Sequence, residues 1–312
     1  MKKIKIAVVQ PKTFLGDVNK NHLQAEIIVE KATKSGAELV ILPELFSTGY
    51  IPNFKIWDYG INSSSLEWLK NTSKKFNIYL GAGIIEFIEK DFRNTFVVSN
   101  PYGEIEGRAE KDNAESYIFR RGFGTHIINS SLCKIGVCIC ADNHFTKIIK
   151  KIKNEDIDIF IMPHAWPSPY KTSKIIKEED ILNAEKEIEN FPSTLNKILG
   201  VPVIFSNQLG NIDNMIGLLG KFLTPSYFKS QGHSKIIDYD GSVKAKMKDE
   251  EGFSIAEVTL SKSKKDFEIP NYNGWIHKGS RTRLFLIPLD NFFGKLGYKK
   301  TLKSFLKKIN LI

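Results

Sequence analysis

The residues best suited to covalent chemistry are Cys138 and Cys140, one residue apart in IGVCICADNH (135–144), in a chain with only one other cysteine, Cys133. The apolar run KIGVCIC predicts a strand, and alternation along it puts both cysteines on one face. Cys138, deeper in the run, reads as a small core hydrophobe, and so does Cys133. Cys140, where Ala141 and Asp142 begin a turn, falls at the strand's carboxyl edge, where open α/β sheets bind ligands. A thiol near its ordinary pKa needs a base to become a nucleophile, and its attack on a carbonyl or nitrile carbon needs a cation or an N–H to receive the developing charge. Glu44 ends the hydrophobic run ELVILPEL (38–45) and supplies a base. Lys111, in GRAEKDNAES with Glu115 four residues on, supplies a cation, joined by the backbone N–H of Ala141. The set is one for acyl transfer.

These positions call for an α/β scaffold, and the pattern alternates short β-branched runs with longer amphipathic stretches. KIKIAVVQ (3–10), ELVILPEL, IYLGAGIIE (78–86), KIGVCIC, IDIFIMPHAW and VPVIFSNQLG read as strands. Residues 18–35 read as a helix with Leu23, Ile27 and Ala32 on its apolar face and a stop at Gly36. Residues 64–75 and 176–199 read as helices too, the latter broken near Pro192. Turns at Pro101-Tyr102-Gly103 and Asp240-Gly241 predict hairpins.

The 312 residues carry a net charge of +10, but Lys295 to Ile312 holds six lysines and no acid, which leaves +4 for the rest. The basic character is local, and no zinc-finger, helix-turn-helix or RNP-like signature accompanies it, so nucleic acid is not an expected partner. No run approaches the roughly 20 apolar residues of a membrane span, and an odd cysteine count makes no disulfide framework. The expected setting is cytoplasmic. Residues 1–265 read as one domain and 266–312 as an extension. In it, Leu302, Phe305, Leu306 and Ile309 form an apolar stripe at helical spacing with lysines opposite. Docking against a partner subunit is expected for this helix; contact of 299–312 with an anionic membrane surface is the alternative.

Taken in order, AVVQP, LVILPELFSTGY, EKDNAES, IGVCICADNHF, IMPHAWP, PVIFSNQLG and GHSKIIDYDGSV resemble the nitrilase, or carbon-nitrogen hydrolase, superfamily from about residue 4 to residue 260. The resemblance implies an αββα sandwich, paired as αββα-αββα in a homodimer or larger homo-oligomer. It places the catalytic Glu, Lys and Cys on Glu44, Lys111 and Cys140, and a supporting glutamate on Glu115. No metal or organic cofactor is implied. Ala-Asp follows Cys140 where the nitrile-hydrolysing branch carries Trp-Glu, which points to a small amide or N-carbamoyl substrate. Acyl transfer to an amine, nitrile hydrolysis and an idle scaffold are the other outcomes this frame permits.

His164 and Trp166, at a strand end, are candidates for the substrate-pocket wall. A Cys-His site through His144 is the competing reading, but no third residue orients that ring. The charged stretch from Pro167 to Pro192 reads as a solvated helix bordering the site.

Overall fold

A computed structural model describes residues 1–61, 64–115, 117–217, 220, 226–265, 267–276 and 287–311. Strands β1 (Lys2–Gln10), β2 (Leu39–Ile41), β3 (Tyr79–Ile88), β4 (Asp91–Ser99), β5 (Ile105–Glu110) and β15 (Gly252–Leu260) form one six-stranded sheet in the order β15-β1-β2-β3-β4-β5. A second is built from β6 (Ile127–Asn129), β7 (Lys134–Val137), β8 (Ile159–His164), β10 (Val203–Asn207), β13 (Lys235–Ile237) and β14 (Val243–Lys246), ordered β14-β13-β10-β8-β7-β6. The central pairs β1–β2–β3 and β7–β8–β10 are parallel, so β2, β7 and β8 each end on the edge where ligands bind. A small sheet of β9 (Pro167–Pro169), β11 (Leu209–Asn211) and β12 (Phe228–Gln231) extends beyond that edge.

Strand periodicity of two sorts the core into layers. In β1, Ile6 and Val8 join Ile135, Val137, Ile161 and Ile204 of the second sheet between the sheets, whereas Ala7 and Val9 face α1 (Val18–Lys34) and α3 (Ser65–Phe76). The outer face of the second sheet packs Phe160, Met162 and Phe205 against Ile149 of α4 (Thr146–Lys153) and Ile188 and Phe191 of α5 (Glu178–Leu199). Helix, sheet, sheet, helix is the αββα order the resemblance implies.

Local expectations fail in three places. In α1 the buried face is Asn21, His22, Ala25, Ile28, Val29 and Ala32, while Leu23 and Ile27 line an open groove with Phe253. The true stripe begins two positions earlier, at Asn21, and with Asn21 and His22 includes polar side chains that hydropathy alone passes over. Helix α5 runs through Pro192 without ending, its Pro buried beside Phe191 and Leu195. The stripe of α6 (Ile287–Lys308) is not free for a membrane or a neighbouring subunit. Leu302 and Leu306 are buried, and Phe305 sets its ring edge-on to Trp57 of α2 (Ile56–Ile61) and to Phe92. Trp57 and Phe92, stacked at 5.1 Å, form an aromatic shelf that takes this face of the helix. Residues 277–286 of the extension lie outside the described residues.

Candidate active site

Glu44 sits three residues past β2 in a turn pressed onto β3. A Cβ on Gly83 would lie 2.5 Å from the Glu44 Cα, so only glycine lets the turn approach and exchange the backbone bonds Phe46 N–H to Gly83 O and Gly83 N–H to Pro43 O, both 3.1 Å. The Glu44 side chain is fully buried. Its Oε1 accepts from Lys111 Nζ at 2.7 Å and Asn94 Nδ2 at 2.8 Å, and its Oε2 from the Ala165 N–H at 2.9 Å.

Lys111 directly follows β5, and its backbone N–H is tied to Asn94 O at 2.9 Å. Its buried ammonium also reaches Glu115 Oε1 at 3.0 Å, and Glu115 Oε1 accepts from the Tyr50 hydroxyl at 2.8 Å. Burial alone would lower the Lys111 pKa, but Glu115 and Glu44 together drive it well above the usual lysine range. Lys111 is therefore a permanent cation between two carboxylates. Tyr50 stays a neutral donor, because burial first and then Glu115 push its pKa well up.

Cys140 opens a short 3-10 helix, Cys140–His144, and takes the left-handed backbone angle φ 47°. β7 has already ended at Val137, so the expected strand is shorter than KIGVCIC and the two cysteines do not share a face. Cys138 packs among Phe160, Met162 and Ile149 on the helix side, while Cys140 packs on the inter-sheet core that holds Val137 and Ile139. The positive φ breaks the alternation and turns the half-buried thiol toward Glu44. Burial, then the charge of Glu44, raise the Cys140 pKa well above the usual cysteine value, with Lys111 opposing. The resting group is a thiol beside its base. Ala141 follows it, half-buried in the first turn of the same short helix.

The other expected residues divide. Glu115 joins the cluster. His164, at the end of β8, and Trp166, two residues beyond it, pack on the helix side of the second sheet. His164 stacks on Trp166 at 5.2 Å and stands edge-on to Phe205, and its Nε2 accepts from Asn143 Nδ2 at 3.0 Å. Alternation along β8 explains this: Ile159 and Ile161 face the inter-sheet core, so Phe160, Met162 and His164 face the helices. Burial, and to a lesser degree Lys111, hold His164 neutral by pulling its pKa well below the usual histidine value. His144 lies 4.1 Å from Phe191 in a parallel ring stack within that same layer, which leaves no Cys-His pairing with Cys140.

Sequence reading missed the residues that fix the three turns. Asp142 accepts from the backbone N–H groups of Asp112 and Asn113 at 2.8 and 2.7 Å, clamping the lysine turn to the cysteine turn. Asn143 donates to the carbonyls of Cys138 and Cys140 at 2.7 and 3.1 Å. Asn94 and Tyr50 hold the two glutamates. Their flanks, Ala-Asp-Asn-His for Asp142 and Asn143 and Arg-Asn-Thr for Asn94, look like ordinary polar turn or strand-end sequence and carry no signal of these contacts. Among the described residues, no group of three or more His, Cys, Asp or Glu is arranged to hold a metal.

A four-layer sandwich with a carboxylate, a buried cation and a thiol gathered at its strand ends defines a nitrilase-type protein. The chain belongs to the carbon-nitrogen hydrolase family, which it matches over residues 5–265, and it is a carbon-nitrogen hydrolase enzyme. It is 30% identical to a nitrilase of Pyrococcus abyssi over 54% of this chain and 67% of that one. With a 2-oxoglutaramate amidase of Bacillus subtilis it shares 27% identity over 80% of this chain and 88% of the other. A carbon-nitrogen hydrolase from Helicobacter pylori superposes with a TM-score of 0.71 at 23% identity, covering 83% and 89% of the two chains. No described helix is long and apolar enough to cross a membrane.

Proposed function

We propose that the protein hydrolyses a small amide or N-carbamoyl compound through a thioester on Cys140. The observation that carries this reading is the Lys111 ammonium held between Glu44 and Glu115, with the Cys140 thiol near enough for Glu44 and Lys111 both to act on its ionisation. Glu44 takes the thiol proton as sulfur attacks the carbonyl carbon. Lys111 and the Ala141 N–H receive the charge that gathers on the oxygen. Collapse breaks the C–N bond, and Glu44 returns its proton to the departing ammonia or amine. A water molecule then gives its proton to Glu44 and its oxygen to the acyl carbon, releasing the acid and restoring the thiol. Glu115 positions Lys111 and the substrate. The amidase name of the Bacillus subtilis relative supports an amide over a nitrile.

The test is intact-mass spectrometry of wild type and Cys140→Ala with a panel of amides, carbamoyl compounds and nitriles, with ammonia followed in parallel. Acyl adducts or ammonia that require Cys140 are expected; ammonia release that survives Cys140→Ala would refute the thioester route. Pairing of subunits, which the family resemblance implies, belongs to the same proposal and is read by light scattering of the purified protein.

A further inference from the structure

Gln208 stands just past β10 with its side chain fully buried, and neither Oε1 nor Nε2 has a hydrogen-bond partner among the described residues. An unpaired carboxamide in a protein interior carries its whole desolvation cost, so native structures rarely keep one without a use. Its place in the sheet relates it to the site. The β8–β10 register pairs Asn207 with His164, so one step further puts Gln208 beside Ala165, whose N–H holds Glu44. Along β10, Phe205 faces the helices, whereas Ile204 and Ser206 face the other sheet, Ser206 Oγ donating to Val9 O at 2.9 Å. Gln208 lies one residue past β10 but, unlike Cys140, is not among the residues of positive φ, so the alternation continues through it to that inter-sheet side, where Glu44 lies. The backbone is fixed on both sides, by Gly232 N–H to Gln208 O at 3.1 Å and Leu209 N–H to Pro11 O at 2.9 Å. Asn94 Oδ1, on the residue whose Nδ2 binds Glu44, is a second buried acceptor without a partner.

We propose that Gln208 binds the non-reacting end of the substrate, and that this end is uncharged and both donates and accepts hydrogen bonds, as a second carboxamide or a ureido group does. The inference rests on the amide-hydrolase reading of the site. A carboxamide pairs with Gln208 through two hydrogen bonds at once. A carboxylate satisfies Nε2 only and sets an anion against Oε1. It also enters a site that sets two acidic side chains, Glu44 and Glu115, against the single cation Lys111.

The experiment titrates Cys140→Ala protein, which leaves the amide bond intact, with succinamide and with succinamate in a calorimeter. Succinamide is expected to bind at least tenfold more tightly, and Gln208→Leu in the same background is expected to lose at least tenfold of that affinity with its circular dichroism unchanged. Equal affinity with and without Gln208→Leu, tighter binding of succinamate, or no binding of either compound overturns the proposal. Should Gln208→Leu not fold, Gln208→Glu takes its place, with the same tenfold loss for succinamide as the criterion. Ammonia release from succinamide by the wild type is followed separately. Gln208-dependent binding without ammonia would sink the hydrolase reading and leave the recognition standing.

Discussion

Asp142 holds Asn113 twice, its Oδ1 accepting from the backbone N–H at 2.7 Å and from Nδ2 at 2.9 Å. The contact joins the turn after Lys111 to the turn after Cys140. Burial pushes the Asp142 pKa from 3.8 up to about 6, with His126 and the Asn113 and Asp112 N–H donors pulling against it. The ionised form grips both N–H groups, so kcat/KM is expected to fall as pH drops through about 6. Asp142→Asn, which presents a donor to donors, should lower activity by roughly 10- to 100-fold through misplacement of Lys111 and abolish that acid limb. A variant that kept the limb would remove Asp142 from this role. Stability runs the opposite way. A raised carboxyl pKa means the folded chain binds the proton more tightly than the unfolded one, so this group's contribution is full below pH 3.8 and is lost as pH rises through about 6.

The cysteine pair separates packing from chemistry. Cys138 is fully buried among aromatic and branched side chains. Cys138→Ala should cost about 1 kcal/mol in urea denaturation and leave turnover intact. Cys140→Ser should keep the wild-type midpoint and lose turnover. Loss of activity in Cys138→Ala with a native midpoint would exchange the two assignments.

Lys111 neutralises two carboxylates, one of them fully buried. Lys111→Met should destabilise the protein by about 3–5 kcal/mol, because it leaves the Glu44 charge without its partner. Adding Glu44→Gln should restore much of that stability and none of the activity. A double variant no more stable than Lys111→Met would show that the pair is not coupled.

Helix α6 offers a matched control within one element. Leu302 is 7% exposed against the Trp57 shelf, and Leu296 is 68% exposed. Leu302→Ala should cost about 2–3 kcal/mol, whereas Leu296→Ala should stay within about 0.5 kcal/mol. Equal effects in chemical denaturation would mean that the helix does not rest on this shelf in solution.

That Glu44, Lys111, Glu115 and Cys140 come together was legible in the sequence because each is a reactive type next to a strand end or a turn, and the ordered flanking motifs single them out from many such residues. The αββα layer order came from the family resemblance, whereas the alternation of strand and helix patterns gave only an α/β fold. What failed was alternation carried into a residue of positive φ: Cys138 and Cys140 part at a backbone reversal at Cys140 that no residue type announces. The same rule, applied within β8, would have put His164 with Met162 on the helical side. Asp142, Asn94, Tyr50 and Gln208 were not legible, since their meaning lies in groups distant along the chain that only folding brings near.

The left-handed backbone at Cys140 sets the fold against its own occupant. Every side chain with a Cβ is strained there, by about 1 kcal/mol, and glycine is not. Cys140→Gly would relieve the strain and remove the thiol in one step, so at this position stability and the proposed thioester chemistry pull in opposite directions. Cys140 is one of seven described non-glycine residues held at positive φ, and the one among them that carries a thiol.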